Sequence, residues 1–203
     1  IPRGWSRTYP NLMTMESVRG AEAYTFDQTY ARNAPVQNTI LPFTRNVIGP
    51  MDYTPVTFTD ELVPHLTTNA HELALAVIFD SGIVHLADSV EAYESLPDAP
   101  LVFLRHLPVV WDETRLLAGE PGSYVVLARR SGDTWYIGAI NGQDSTREVT
   151  LDFAFLDGET TATLIHEGAD RLSFSAESIT LDRGAPLSLT LPAYGGFVLT
   201  TES

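Results

Sequence analysis

The sequence predicts two architectures in one chain: an α/β segment over residues 1–105, then an all-β segment over 106–203. Three observations carry this. Before residue 106 short apolar runs alternate with helix-like stretches. After it the pattern is strands alone, at a spacing of roughly ten residues with turn residues between them, as in an antiparallel β-sandwich. A chain of 203 residues with 44% hydrophobic and 10% aromatic side chains can also bury a substantial core.

The elements follow in order. "NLMTM" (11–15) reads as a strand with Glu16 at its carboxyl end. "NVIGPMDYTPVTF" (46–58) combines an apolar run with Gly49, Pro50 and Pro55, a strand that stops and turns outward. "TTNAHELALAVIFDSGIVHLAD" (67–88) opens with Thr68 or Asn69 as N-cap and has Glu72 in its first turn. Its Leu73, Val77, Phe79, Ile83 and Leu86 are apolar nearly all round, which predicts a helix buried against a sheet. "SVEAYESLP" (89–97) is a short helix ended by Pro97, and "WDET" (111–114) a turn at the junction. Within 123–142 two strands meet at Ser131-Gly132-Asp133, a hairpin signal. Further strands are expected over 147–156, 161–169, 177–184, 186–191 and 195–202, with alternation plain in Val149, Leu151, Phe153 and Phe155. Trp135 and Tyr136 point to opposite faces of one strand, so one enters the sandwich and the other stays at the surface.

Bulk chemistry narrows the function. The formal net charge of −14, from 26 acidic and 12 basic side chains, argues against nucleic acid as a partner. The acids are spread along the chain, as on a solvated surface. The absence of cysteine removes disulfides, thiolate catalysis and Cys-ligated zinc, and suits a periplasmic or extracellular protein. No apolar run reaches the ~18 residues a membrane span requires. The start, Ile-Pro-Arg-Gly-Trp, has neither an initiator Met nor a signal pattern, and we expect a piece of a longer precursor. The first segment has room for about two strand–helix units, too few to close an α/β barrel.

One pair of acids stands out. Glu16 and Glu22 lie six residues apart in "TYPNLMTMESVRGAE" (8–22). A continuous helix would splay them by roughly 120°. A strand ending at Glu16, followed by a fold-back through Gly20, would let both acids face one point. Converging carboxylates can bind a hard cation such as Ca²⁺, or one can act as a general acid raised by its like-charged neighbour. Spacing alone equally allows each acid to pair with Arg19 or Arg7. Asp52 sits at a predicted strand end, facing a pocket or capping a turn. Tyr53 suits the rim or a sugar ring, and Trp5 with Tyr9 suits packing or a stacking platform. His71 and His85, fourteen apart, have no metal-sharing spacing, and neither an H-E-x-x-H nor a G-x-S-x-G motif occurs.

"RTYPNLMTMESVRGAE", "LPFTRNVIGPMDYTP" (41–55), "AHELALAVIFDSGIVHLADS" (70–89), "VWDETRLLAGEPGSYVVLARR" (110–130) and "WYIGAING" (135–142) occur in that order. Together they resemble the carboxyl-terminal part of glycoside hydrolase family 97, over nearly the whole chain but fading after about residue 158. The resemblance implies the last units of a (β/α)₈ barrel over 1–105, a C-terminal β-sandwich over 106–203, and action on α-glucosides or α-galactosides with Ca²⁺. It places Glu22 at the general acid, or acid/base in retaining members, and both Glu16 and Glu22 at the metal. Asp52 and Tyr53 are the expected substrate contacts. The partner carboxylate belongs to earlier barrel strands that these residues lack, so the 203 residues alone are expected to be inactive. The implied partners are an oligosaccharide and the remainder of the same enzyme. The rival reading is a non-catalytic carbohydrate-binding or scaffold module.

Overall fold

Strands that alternate along 113–201 satisfy their backbone groups by antiparallel pairing, and in the computed structural model, which describes residues 4–61 and 63–202, they form two unequal sheets. The starting residues Ile1–Arg3 lie outside that description. The strands are β1 (Glu113–Glu120), β2 (Tyr124–Ser131), β3 (Thr134–Asn141), β4 (Arg147–Leu151), β5 (Thr160–Glu167), β6 (Phe174–Leu181), β7 (Leu187–Leu191) and β8 (Gly196–Thr201). Six of them make one sheet in the order β1-β2-β3-β8-β5-β6, and β4 pairs with β7 in the second. The hairpin joining β2 and β3 closes at Ser131 opposite Thr134, with Gly132 at φ 59°. That left-handed value is the one a two-residue turn requires and glycine supplies freely.

Alternation divides the large sheet between two cores. Val126, Ala128, Ile137 and Leu199 point toward β4 and β7, where they meet Val149, Leu151 and Leu191. Val125, Leu127, Tyr136 and Val198 point the other way, onto Leu73, Val77 and Ile78. The last three belong to a helix of the first half. Both faces of the central strands are therefore covered, and Trp135 and Tyr136 are both buried, at 6% and 7% exposure. The surface position expected for one of them is corrected by Phe103, His106 and Trp111, which cover Tyr136 and which a strand pattern does not reveal. "WDET" is likewise corrected: Glu113 and Thr114 already pair with Arg130 and Arg129 as the start of β1.

The first half is helical and looped. It contains α1 (Trp5–Thr8), a 3₁₀ turn (Ala21–Thr25), α2 (Thr29–Ile40), a second 3₁₀ turn (Leu41–Phe43), α3 (Arg45–Ile48), α4 (Asn69–Ile78), α5 (Val90–Glu94) and α6 (Asp98–His106). The predicted strands at 11–15 and 46–58 do not form: residues 46–48 fall in α3, and what remains is non-helical chain joined by one parallel bridge, Met15 to Met51. Among the described residues no barrel is formed; the architecture is an antiparallel β domain with a few helices. α4 is the central helix. Thr68 caps it by accepting from the His71 N–H, and every one of its residues is buried. The helix predicted to reach residue 88 stops at Ile78. Arg129 Nη2 donates to the Ile78 carbonyl at 3.0 Å, and Asn46 Oδ1 accepts from the Asp80 N–H at 3.2 Å, so tertiary partners satisfy the end. Beyond it Gly82 passes beneath Met13, where a Cβ would lie 2.7 Å from the Met13 carbonyl oxygen. α5 begins on Ser89, which accepts from Ala92 N–H, before Pro97.

The start of α4 is also where the two halves lock. Asn69 N–H donates to the Arg171 carbonyl at 2.8 Å and Thr68 N–H to the Tyr194 carbonyl at 3.1 Å. Arg171 reaches back to the His65 carbonyl at 2.9 Å and to the Asp60 carboxylate. Within this junction Glu72 is fully enclosed and accepts from Thr67 Oγ1 at 2.5 Å. Burial raises its pKa above the ordinary carboxylate value, outweighing the lowering by His65 and Thr67. A carboxyl whose pKa rises on folding binds a proton more readily folded than unfolded. Stability from this group therefore falls as pH climbs through the interval between the unfolded and folded values. Glu72→Gln keeps an acceptor for Thr67 and removes the charge. We expect its urea midpoint at alkaline pH to equal or exceed that of the parent, with a flatter pH dependence above the ordinary carboxylate range. An unchanged pH slope would exclude Glu72 as the source.

Candidate functional site

The site grows from the Met15–Met51 bridge. Parallel pairing brings two chain segments out at the same end, and each next residue is an acid, Glu16 on one and Asp52 on the other. Asp52 N–H donates to the Met15 carbonyl at 3.0 Å, which keeps the two exits together. Arg45, almost fully buried at 6%, secures them from below. Its guanidinium donates to the carbonyls of Met15 (2.7 Å), Glu16 (2.9 Å), Gly49 (2.8 Å) and Pro50 (3.2 Å). This planar donor fork suits several converging carbonyls, which an ammonium would bond less well. Sequence reading missed Arg45, because a single basic residue ahead of an apolar run carries no signature.

From Glu16 the chain folds back through Ser17, at φ 55°, to Gly20. The 3₁₀ turn that follows is tied to the second segment. Ala21 N–H donates to the Tyr53 carbonyl at 3.2 Å, Glu22 N–H donates to Thr54 Oγ1 at 3.3 Å, and the Thr54 hydroxyl donates to the Glu22 carboxylate. Thr25 Oγ1 returns to the Glu22 carbonyl at 2.7 Å. Thr54 and Val56 hold φ of 58° and 70°, a region β-branched residues avoid, so the surrounding contacts impose this backbone.

The electrostatics follow from the placement. Partial burial raises the Glu22 pKa, and the negative charges of Glu16 and Asp52 push it further in the same direction. Neither alternative cation neutralises the pair: Arg19 lies 4.6 Å over the Tyr30 ring and donates to its hydroxyl, and no ion pair joins Arg7 or Arg19 to these acids among the described residues. Asp52 instead holds His85, whose Nδ1 lies 2.8 Å from Asp52 Oδ1. A hollow lined by Glu22, Tyr24, Phe26, Thr54 and Val63 opens beside the acid. Phe26, 85% exposed, is an aromatic face at this hollow that no spacing rule pointed to.

Tyr53 is a correction. It is 2% exposed, its hydroxyl donates to Asn38 Oδ1 at 2.7 Å and meets the Tyr24 hydroxyl at 3.2 Å, and its ring packs on Phe79 at 4.6 Å. A side chain consumed by interior bonds cannot meet a sugar; Tyr53 serves the site through its backbone carbonyl. His71 is fully buried against Asn38 at 3.1 Å, and burial pushes its pKa down to about 3, so it is neutral. Trp5 and Tyr9 meet edge to face at 6.4 Å and remain half exposed.

Carboxylate oxygens at Glu16 and Glu22 suit a hard cation, which takes six to eight oxygen ligands. Among the described residues no group of three or more His, Asp or Glu side chains is set to hold a metal ion. The two acids can therefore supply only part of a coordination shell.

Comparison with known proteins agrees in one direction. Residues 110–202 match the family described as "Glycosyl-hydrolase 97 C-terminal, oligomerisation". A probable retaining alpha-galactosidase of Streptomyces bingchenggensis is 43% identical over 198 residues, spanning 97% of this chain and 29% of that protein. A retaining alpha-galactosidase of Bacteroides thetaiotaomicron is 33% identical over 213 residues, 98% of this chain and 32% of that protein. The crystal structure of a beta-arabinopyranosidase superposes with a TM-score of 0.91 at 29% identity, over 98% of this chain and 33% of its own. A glycoside hydrolase family 97 enzyme from Pseudoalteromonas sp. strain K8, in complex with acarbose, gives 0.86 at 29% identity, over 98% and 33%. The chain thus spans only about a third of the relatives it matches.

Proposed function

We propose, from the premise that this chain carries the C-terminal domain of a glycoside hydrolase family 97 protein, that it is one part of a retaining α-galactosidase whose general acid/base is Glu22. What supports the proposal is that Glu16 and Asp52 leave the paired 15 and 51 segments side by side while Thr54 holds the Glu22 carboxylate, with the Glu22 pKa raised by burial and by both neighbours. A carboxyl whose proton is held more tightly in this way can deliver it to the leaving glycosidic oxygen, and as carboxylate can then take one from water. Thr54 fixes the direction of the carboxyl, and Arg45 holds the two segments that present it. The second carboxylate of a retaining mechanism, a nucleophile, would come from the remainder of the enzyme. So would the barrel strands that residues 1–105 complete. The 203 residues by themselves should then turn over no glycoside.

Glu16 would hold Ca²⁺ together with oxygen ligands from that remainder, with Glu22 at the edge of that shell so that it can still carry its proton; the ion supplies charge stabilisation where negative charge collects. The working compartment in this reading is periplasmic or extracellular, and the substrate an oligosaccharide. The complete enzyme should hydrolyse aryl α-galactosides faster than aryl α-glucosides and release the first product with unchanged anomeric configuration, read by NMR. An inverted first product would end the retaining assignment. For the metal, calorimetry should show Ca²⁺ binding weakened by about tenfold or more in Glu16→Ala. Unchanged affinity would remove Glu16 from the shell. A non-catalytic sugar-binding module is the second reading, and oligosaccharide binding by the 203 residues alone, with no activity in the complete protein, would favour it.

A further inference from the structure

We infer that His85 is a substrate-binding residue of this site, its imidazole Nε2 meeting a sugar hydroxyl while Nδ1 is held by Asp52. The inference rests on the glycosidase reading above and assigns a contact within it.

The placement is built from three elements. Residues 79–88 leave α4 as an irregular loop, held where Ala87 N–H donates to the Pro55 carbonyl at 3.0 Å and where Ser81 Oγ donates to the Ile83 carbonyl at 2.5 Å. That path carries His85 to Asp52, which leaves the paired segment beside Glu16. An Asp carboxylate only accepts, so Nδ1 carries the proton in the 2.8 Å bond. The other nitrogen is then determined in character: Nε2 accepts from a hydroxyl in the neutral ring and donates to one in the cation. It has no hydrogen-bond partner among the described residues, and the side chain is 55% exposed while that of Asp52 is 26% exposed. A carboxylate that orients one nitrogen so that the other can bind is the arrangement by which proteins aim histidine at a ligand.

Two substitutions in the complete enzyme separate these roles. His85→Asn retains a donor near the Nδ1 position for Asp52 and removes the tip; His85→Ala removes both. We expect KM for an aryl α-galactoside to rise about tenfold in both variants, with kcat within about twofold of the parent. Across a set of monodeoxy galactosides, the loss should vanish for the one sugar lacking the contacted hydroxyl. A parental KM in His85→Asn beside an impaired His85→Ala would reduce His85 to a prop for Asp52 and overturn the inference, as would an equal loss on every deoxy sugar. If the parent enzyme cleaves no glycoside, the glycosidase reading fails first and this contact falls with it; an active parent with indifferent variants sinks the contact alone.

Discussion

Glu22→Gln in the complete enzyme should lower kcat/KM on natural α-galactosides by about 10²–10⁴-fold, the usual worth of a positioned general acid. The amide is nearly isosteric, and it can still accept from Thr54, so the 3₁₀ turn over Ala21–Thr25 should remain in place. What is lost is the proton. An aryl glycoside with a good leaving group needs little protonation, so its glycosylation step should suffer far less than that of a sugar leaving group. Equal losses on both substrates would contradict the acid role and point instead to lost positioning. The thermal midpoint of the variant should stay near the parental value, because the Glu22 side chain meets solvent and makes no ion pair among the described residues.

Gly20→Ala is expected to damage both stability and activity through a single methyl group. Gly20 has φ −81° and ψ −173°, which alanine adopts without strain, so conformational freedom is not the issue. Space is. A Cβ here would run into the Tyr53 carbonyl and come within 2.5 Å of Glu22 Oε2. The obstacle is backbone, and that same carbonyl receives the Ala21 N–H that starts the turn. Either the turn moves off or the 53–54 segment does, and both carry the site. Overpacking of this kind costs about 1–3 kcal/mol. A displacement of about 1 Å at the acid costs about 10²-fold in rate. Denaturant unfolding and kcat of the complete enzyme check the two effects. An active, undestabilised Gly20→Ala enzyme would show that the close approach of these segments is not required.

Much of the β domain could be read from sequence because its signals are local. Alternation, turn residues and the Ser131–Asp133 hairpin each act over a few residues, and β2 to β8 lie within a few residues of their expected places. β1 and α2 were missed. β1 has no fully buried residue and a pairing irregularity between Leu116 and Ala118. α2 carries Pro35 inside it and shows little amphipathic contrast. Both are held by tertiary contacts that outweigh weak propensity.

The site divides in the same way. The sequence by itself determined which acids were available, Glu16, Glu22 and Asp52, and that a helix could not bring the first two to one point. Only the tertiary structure decided that Glu16 and Asp52 leave one bridge between residues 36 apart in the chain, over the buried Arg45, with Glu22 near enough to feel both charges. It also turned Tyr53 inward and set His85 against Asp52. The physical reason is range. Helix and strand patterns come from neighbours within a turn or a pleat, whereas the direction a carboxylate or an imidazole faces is set by backbone carbonyls and hydroxyls from distant segments. Their partnership is written in no local spacing.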